Sequence, residues 1–110
     1  MLKETITQIE ARIEKAECLG DAKREELLGL VSTLKTEISE LAKTHAEQSQ
    51  SITGFTELSV HEAMREEKNP QLLRLSLQGL STSVEGFEMS HPRLVSAVNS
   101  ICHTLSSIGI

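Results

Sequence analysis

Three observations predict an all-α fold for this 110-residue chain. Apolar residues recur at alternating steps of four and three along several stretches, the spacing that lines one face of a helix. Aromatics are nearly absent, with Phe55 and Phe87 alone and no Trp or Tyr, so any core must come from Leu, Ile, Val, Ala and Met, which suit helix bundles better than sheets. Glycine and proline fall at the joins, in Leu19-Gly20-Asp21, Asn69-Pro70 and His91-Pro92. The expected architecture is one domain over residues 1–110, an antiparallel helical hairpin plus a C-terminal helix pair, bundle-like and completed by oligomerisation. Its expected parts are a charged N-terminal hairpin (2–50), a connector with a short helix (51–69) and an uncharged helix pair (70–110).

The first helix is predicted over about residues 2–18, where Leu2, Ile6, Ile9, Ile13 and Ala16 make the stripe and the flanking charges face water. Gly20 as a stop and Asp21 as an N-cap then predict a tight turn, and so short a loop makes the neighbouring helices antiparallel. The second helix carries Leu27, Val31, Leu34, Ile38 and Leu41, joined by Leu30 on the same side. His45, Ser49 and Ile52 continue that register. The seam turns polar there, which either fixes register or partner choice, as buried polar residues do in coiled coils, or marks the end of packing.

Residues 46–59 are rich in Gln, Ser and Thr and contain Gly54, which weakens a helix interior by about 1 kcal/mol relative to alanine. A break is expected there. Ser59 and Glu62 match a capping box, which predicts a short helix from Val60 to about Lys68. A third long helix is expected from Pro70 to about Met89 on Leu73, Leu77, Leu80, Val84 and Phe87. Leu72, Leu75, Gly79, Ser83 and Gly86 gather on its other side, and small residues at that spacing let another backbone come close. That helix is expected to be covered on two sides.

Pro92 cannot sit inside a helix and pushes His91 towards extended backbone, so a boundary belongs at residues 89–92. Ser90 or His91 is the expected cap, with Pro92 in the first turn of a last helix that stops at Gly109. With about 100° per residue, Leu94, Val98, Ile101, Leu105 and Ile108 fall within about 40° of one line, while Ser96, His103 and Ser107 point nearly the opposite way. From Leu94 to Ile110 there are 17 consecutive residues without a formal charge. That polar but uncharged face is expected to lie against another helix.

The pattern Phe87-Glu88-x-Ser90-His91-Pro92-x-Leu94, closing on Leu105-x-x-Ile108-Gly109-Ile110, resembles a family of small, mainly bacterial proteins catalogued only as a domain of unknown function. Such proteins also open with two amphipathic helices, as residues 2–42 do here. The resemblance implies an all-helical fold. It carries no activity that can be transferred.

A formal charge of −5 argues against nucleic acid, whose phosphates need a Lys/Arg surface, and against an anionic membrane. Met1-Leu2-Lys3-Glu4-Thr5 places an acidic residue where a signal peptide needs a basic and then an apolar run, and no stretch reaches the roughly 18 apolar residues of a membrane span, so a cytoplasmic protein is expected. Residues 1–68 hold 23 of the 27 charged side chains, against Arg74, Glu85, Glu88 and Arg93 in residues 69–110. The first part is expected to be solvated and the last covered.

Motifs for chemistry are weak. His61-Glu62-Ala63-Met64-Arg65 opens like a zinc-protease motif, but Arg65 stands where the second histidine belongs. Ser90 and His91 lack an orienting carboxylate and an oxyanion-hole motif. Cys102 and His103 are adjacent helical residues about 100° apart, unable to grip a metal alone. Cys18 and Cys102 read as small packing residues, with a redox pair as the alternative, and Glu25-Glu26 and Glu66-Glu67 as solvated surface. No cofactor or metal is expected.

The reading is a non-enzymatic structural or adaptor protein that self-associates. Its structural and interface residues are Leu73, Leu77, Leu80, Val84, Phe87, Ser90, His91, Pro92, Leu94, Val98, Ile101, Leu105 and Ile108. A binding module for a different protein is the alternative, and an enzyme using His91 or His103 the remote one. Leu34→Asp or Ile38→Asp should largely unfold the N-terminal hairpin, because an unpaired carboxylate in an apolar seam costs several kcal/mol, comparable with the about 5–15 kcal/mol that holds a small domain together. A circular-dichroism melt unchanged by either substitution would remove both residues from the core.

Overall fold

The computed structural model describes residues 2–109, so Met1 and Ile110, the two ends of the patterns noted above, lie outside the described residues. Five α-helices follow one another: α1 (Leu2–Lys15), α2 (Asp21–Leu41), α3 (Ala46–Met64), α4 (Pro70–Ser83) and α5 (Pro92–Gly109). No strand occurs among the described residues, and the fold is all-α as expected.

The α1–α2 hairpin follows from its stripes. Ile6, Ile9 and Ile13 of α1 and Leu27, Val31, Leu34, Ile38 and Leu41 of α2 are all 0–2 % exposed. α1 ends at Lys15, three residues earlier than expected, and Arg24 of α2 completes its C-terminus. The guanidinium donates to the carbonyls of Ile13 (3.4 Å), Leu19 (3.1 Å) and Ala16, satisfying acceptors that the helix end leaves open. Gly20 is the N-cap of α2 and makes no side-chain cap. Asp21, expected there, is instead the first helical residue and pairs with Arg24 at 3.1 Å.

The expected break across 46–59 and the short helix after it are replaced by a single 19-residue helix, α3. The physical reason is that its buried positions are filled by small hydroxyl residues as well as apolar ones: Ser49, Ile52, Thr53, Thr56, Ser59, Val60 and Ala63. Thr53 and Thr56 donate to the carbonyls of Ser49 and Ile52 four residues back, each at 2.8 Å. A hydroxyl bonded within its own helix packs as a small, nearly apolar group. Ser59 is therefore an interior position of α3 and not a cap. Gly54 sits on the exposed outer face of that helix.

α3 touches all four other helices, whereas α1 touches only α2 and α3. α5 lies between α2 and α4 and also reaches α3, so its stripe of Leu94, Val98, Ile101 and Leu105 is 0 % exposed inside one chain. The radius of gyration, 12.9 Å, is that of a compact domain of this length. α3 thus supplies the packing surface that the sequence reading gave to a second copy.

α4 is also shorter than expected. It stops at Ser83, not near Met89, and Gly86 at φ 95° turns the chain in a conformation that favours glycine. Glu88 Oε1 accepts from the Gly86 N–H at 2.9 Å and holds that turn. At the other end Asn69 caps α4, its Oδ1 accepting from the Leu72 N–H at 3.1 Å, with Pro70 in the first turn. Val84, 2 % exposed, and half-buried Phe87 still pack on the core from outside the helix.

Gly54→Ala tests the continuity of α3. A Cβ at this position meets nothing within 4 Å. In a helix interior the change should stabilise by about 1 kcal/mol and raise the melting temperature by roughly 4–8 °C. A melt that stays put or falls would mean that residues around 54 are not helical.

Candidate functional site

The sequence-selected residues of the C-terminal part divide into three groups. Leu73, Leu80, Val84, Leu94, Val98, Ile101 and Leu105 are core, and Leu77, Phe87 and Ile108 pack half-buried against it. These contacts are made within the chain. Ser90 and Pro92 are exposed and His91 is half-buried.

His91 occupies the cap position of α5, its carbonyl accepting from the Val95 N–H at 3.2 Å. The Ser90 hydroxyl bonds to His91 Nδ1 at 2.9 Å. His45, at the N-cap of α3, repeats this arrangement, with Thr44 Oγ1 2.7 Å from its Nδ1. Phe87 stands edge-to-face to both rings, with centroids 5.4 Å from His45 and 5.5 Å from His91, and the two imidazoles are 6.4 Å apart. Edge-to-face ring pairs of this kind contribute about 0.5–1.5 kcal/mol each beyond their burial. The cluster ties the α2–α3 turn to the α4–α5 turn. It gathers no orienting carboxylate, since Glu88 is engaged by Gly86. His45 was recognised in the sequence only as a polar step in an apolar seam; its pairing with Phe87 depends on where two distant turns meet.

The other chemical candidates are engaged by neighbouring side chains or backbone. Glu62 is 5 % exposed and pairs with Arg65 at 2.9 Å, so the residue in the second-histidine position neutralises the glutamate. His61 Nε2 is 3.9 Å from Glu62. Cys18 and Cys102 are free thiols, Cys18 against Met64 Sδ at 4.0 Å and Cys102 against the Leu77 carbonyl at 3.8 Å. Burial pushes the Cys102 thiol up from 9.0 to about 11. No three His, Cys, Asp or Glu side chains are grouped to hold a metal among the described residues, and no helix of the described residues is long and apolar enough to cross a membrane. A cleft between the C-terminal ends of α1 and α3 carries Arg12, Lys15, Arg65 and Lys68 beside Glu17 and Glu66. Cations there answer the negative ends of two helices, and Lys68 Nζ donates to the Ala63 carbonyl.

The surface that needs another explanation lies on the outside of α3 and α4. Phe55 (36 % exposed), Leu58 (44 %), Leu72 (42 %) and Leu75 (55 %) are, with Met89 of the α4–α5 turn, the large hydrophobic side chains left exposed among the described residues. The Phe55 ring lies over Gly79, where an added Cβ would come within 2.2–2.8 Å of it. The small residue allows a close approach, but by an aromatic side chain and not by the backbone that the spacing predicted. α3 and α4 are joined by the short turn 65–69, and with Phe55 against Gly79 both Leu58 and Leu75 fall on the turn side of that contact. The back face of α4 is covered over Gly79 and open at Leu72 and Leu75. The uncharged face of α5 is exposed at Ser96, Asn99, Ser100, His103 and Ser107. Ser96 and Ser100 line a cleft beside α2, and His103 and Ser106 one beside α4; the latter combines an apolar floor with a single cation.

No curated protein and no solved structure matches the chain. The family model described as a domain of unknown function, DUF4404, matches residues 2–110. With nearly its whole length inside that match, the chain belongs to the DUF4404 family.

Proposed function

We propose that the protein is a non-enzymatic helical association module that pairs with a second copy of itself through the outer α3–α4 face. The observation that carries this reading is that Phe55, Leu58, Leu72 and Leu75 are left exposed on two helices packed against each other. Contiguous apolar side chains at a surface mark interaction sites far more often than scattered ones do. Ser51 and Gln71 are exposed one turn from Phe55 and Leu75, and Arg12, Glu57 and His61 share a shallow cleft with Leu58, so polar and charged groups border the apolar centre, the usual anatomy of an interface.

Symmetry and charge favour a second copy as the occupant. Two copies of one apolar face around a twofold axis are self-complementary. Of the formal charges on the two helices, α3 carries Glu47, Glu57 and Glu62 and α4 carries Arg74 alone, so laying the α4 of one copy against the α3 of the other sets helices of opposite charge against each other. Two unbonded cysteines support a place for the protein in the reducing cytoplasm.

Light scattering at micromolar to submillimolar concentration should give twice the chain mass of 12.1 kDa. Leu58→Glu and Leu75→Glu should each return the mass to one chain with an unchanged helical spectrum, because substitutions at exposed positions cost less than about 0.5 kcal/mol of fold stability, while a carboxylate in an interface centre loses its water without gaining a partner. Ser96→Glu, on the α2 side of α5, should stay paired. A single-chain mass for the unaltered protein across that range, or pairing that survives both leucine substitutions, would overturn the proposal.

A further inference from the structure

The other flank of α4 faces α5 across a cleft of about 420 Å³, within the range that holds small ligands. Leu73 and Leu77, one turn apart on α4, form an apolar floor with Cys102 of α5. Arg74, His103 and Ser106 stand around it, and no acidic side chain lines it.

Arg74 is the one arginine or lysine of the cleft. Four other cations pair with acids, Arg24 with Asp21, Lys35 with Glu10, Lys43 with Glu40 and Arg65 with Glu62, and Arg74 is among those that do not. Positions three and four residues to either side of Arg74 are Pro70, Gln71, Leu77 and Gln78, so its own helix offers no acid. It makes no ion pair with another element either, among the described residues. The guanidinium therefore sits at the edge of an apolar cleft with its donors unanswered, close to the α4 N-terminus, where the helix itself is positive.

We infer that the α4–α5 cleft binds a small monocarboxylate with a short apolar chain, the carboxylate paired to Arg74 and the chain laid along Leu73 and Leu77. One permanent cation matches a singly charged head, and the planar fork of arginine suits a carboxylate in particular. His103 and Ser106 offer further hydrogen bonds to the head. The half-buried Cys102 thiol stays protonated at neutral pH, with its pKa near 11, so the floor adds no negative charge. This cleft is on the α5 side of α4, away from Leu72 and Leu75, and its occupancy does not depend on pairing of two copies.

The test uses the full chain, isotope-labelled, with sodium octanoate as the probe and 1-octanol and octylammonium as same-length controls. Octanoate should give saturable amide shifts in residues 73–78 and 102–106 and slow alkylation of Cys102 severalfold without protecting Cys18. Arg74→Gln should weaken octanoate about tenfold, the scale of one hydrogen-bonded charge pair, whereas Arg93→Gln, at the other unpaired arginine of this half, should leave it unchanged. Octanol or octylammonium binding as tightly as octanoate would overturn the inference. So would full affinity in Arg74→Gln, or saturable shifts confined to other residues.

Discussion

The bundle depends on a helix that is polar by composition and yet buried along one face. α3 reaches every other helix, and a central helix made of large apolar residues would hold its neighbours further apart. Ser49, Thr53, Thr56 and Ser59 keep its buried sides narrow, each 0–2 % exposed. The two threonines return their hydroxyls to the preceding turn. The Ser49 and Ser59 hydroxyls are buried with no partner among the described residues, and each unsatisfied group costs about 1–3 kcal/mol. The fold tolerates that cost because closer helices gain apolar contact over many side chains at once, Ile52, Val60, Leu80 and Ile101 among them.

This same device explains what the sequence showed and what it concealed. α1, α2 and α5 were legible because their stripes are mainly leucine, isoleucine and valine at helical spacing, and the centre of each stripe is buried as expected. α3 was not, because a hydroxyl counts as polar in any reading of periodicity, and whether it is bonded to its own helix is a matter of packing. The end of α4 was misplaced for the opposite reason. Val84 and Phe87 continue a four-three spacing although the helix has stopped, since the turn around Gly86 carries both side chains back to the core. Spacing therefore reported burial correctly and secondary structure incorrectly.

The candidate surfaces were half legible on similar grounds. Leu72, Leu75 and Gly79 stood out as a second face of α4. What covers Gly79 and leaves the two leucines bare is Phe55, a residue that a broken 46–59 segment could not have placed. The uncharged last third was read as covered, and its apolar side is, by α2, α3 and α4 of the same chain. Its polar side is open and divides between two clefts that run along either flank of α5. Absence of charge is thus a property of the surface in this half and not evidence by itself that the surface is hidden.

That distinction bears on how one short helix could serve two purposes. Of the 14 residues of α4, only Arg74 is charged. A position about 100° further round the helix from Arg74 is occupied by Leu75, so the cation and the exposed leucines occupy different flanks despite being adjacent in sequence. On the α3 flank, contact with water is unfavourable in proportion to the apolar area exposed, and a covering partner relieves it. On the α5 flank the apolar floor is recessed between two helices and the cation stands at its edge, where a second flat helical face would shut the guanidinium away from water without supplying a counter-charge. The first flank is suited to another protein surface and the second is not. A small anion enters the second without that penalty because it brings the missing charge.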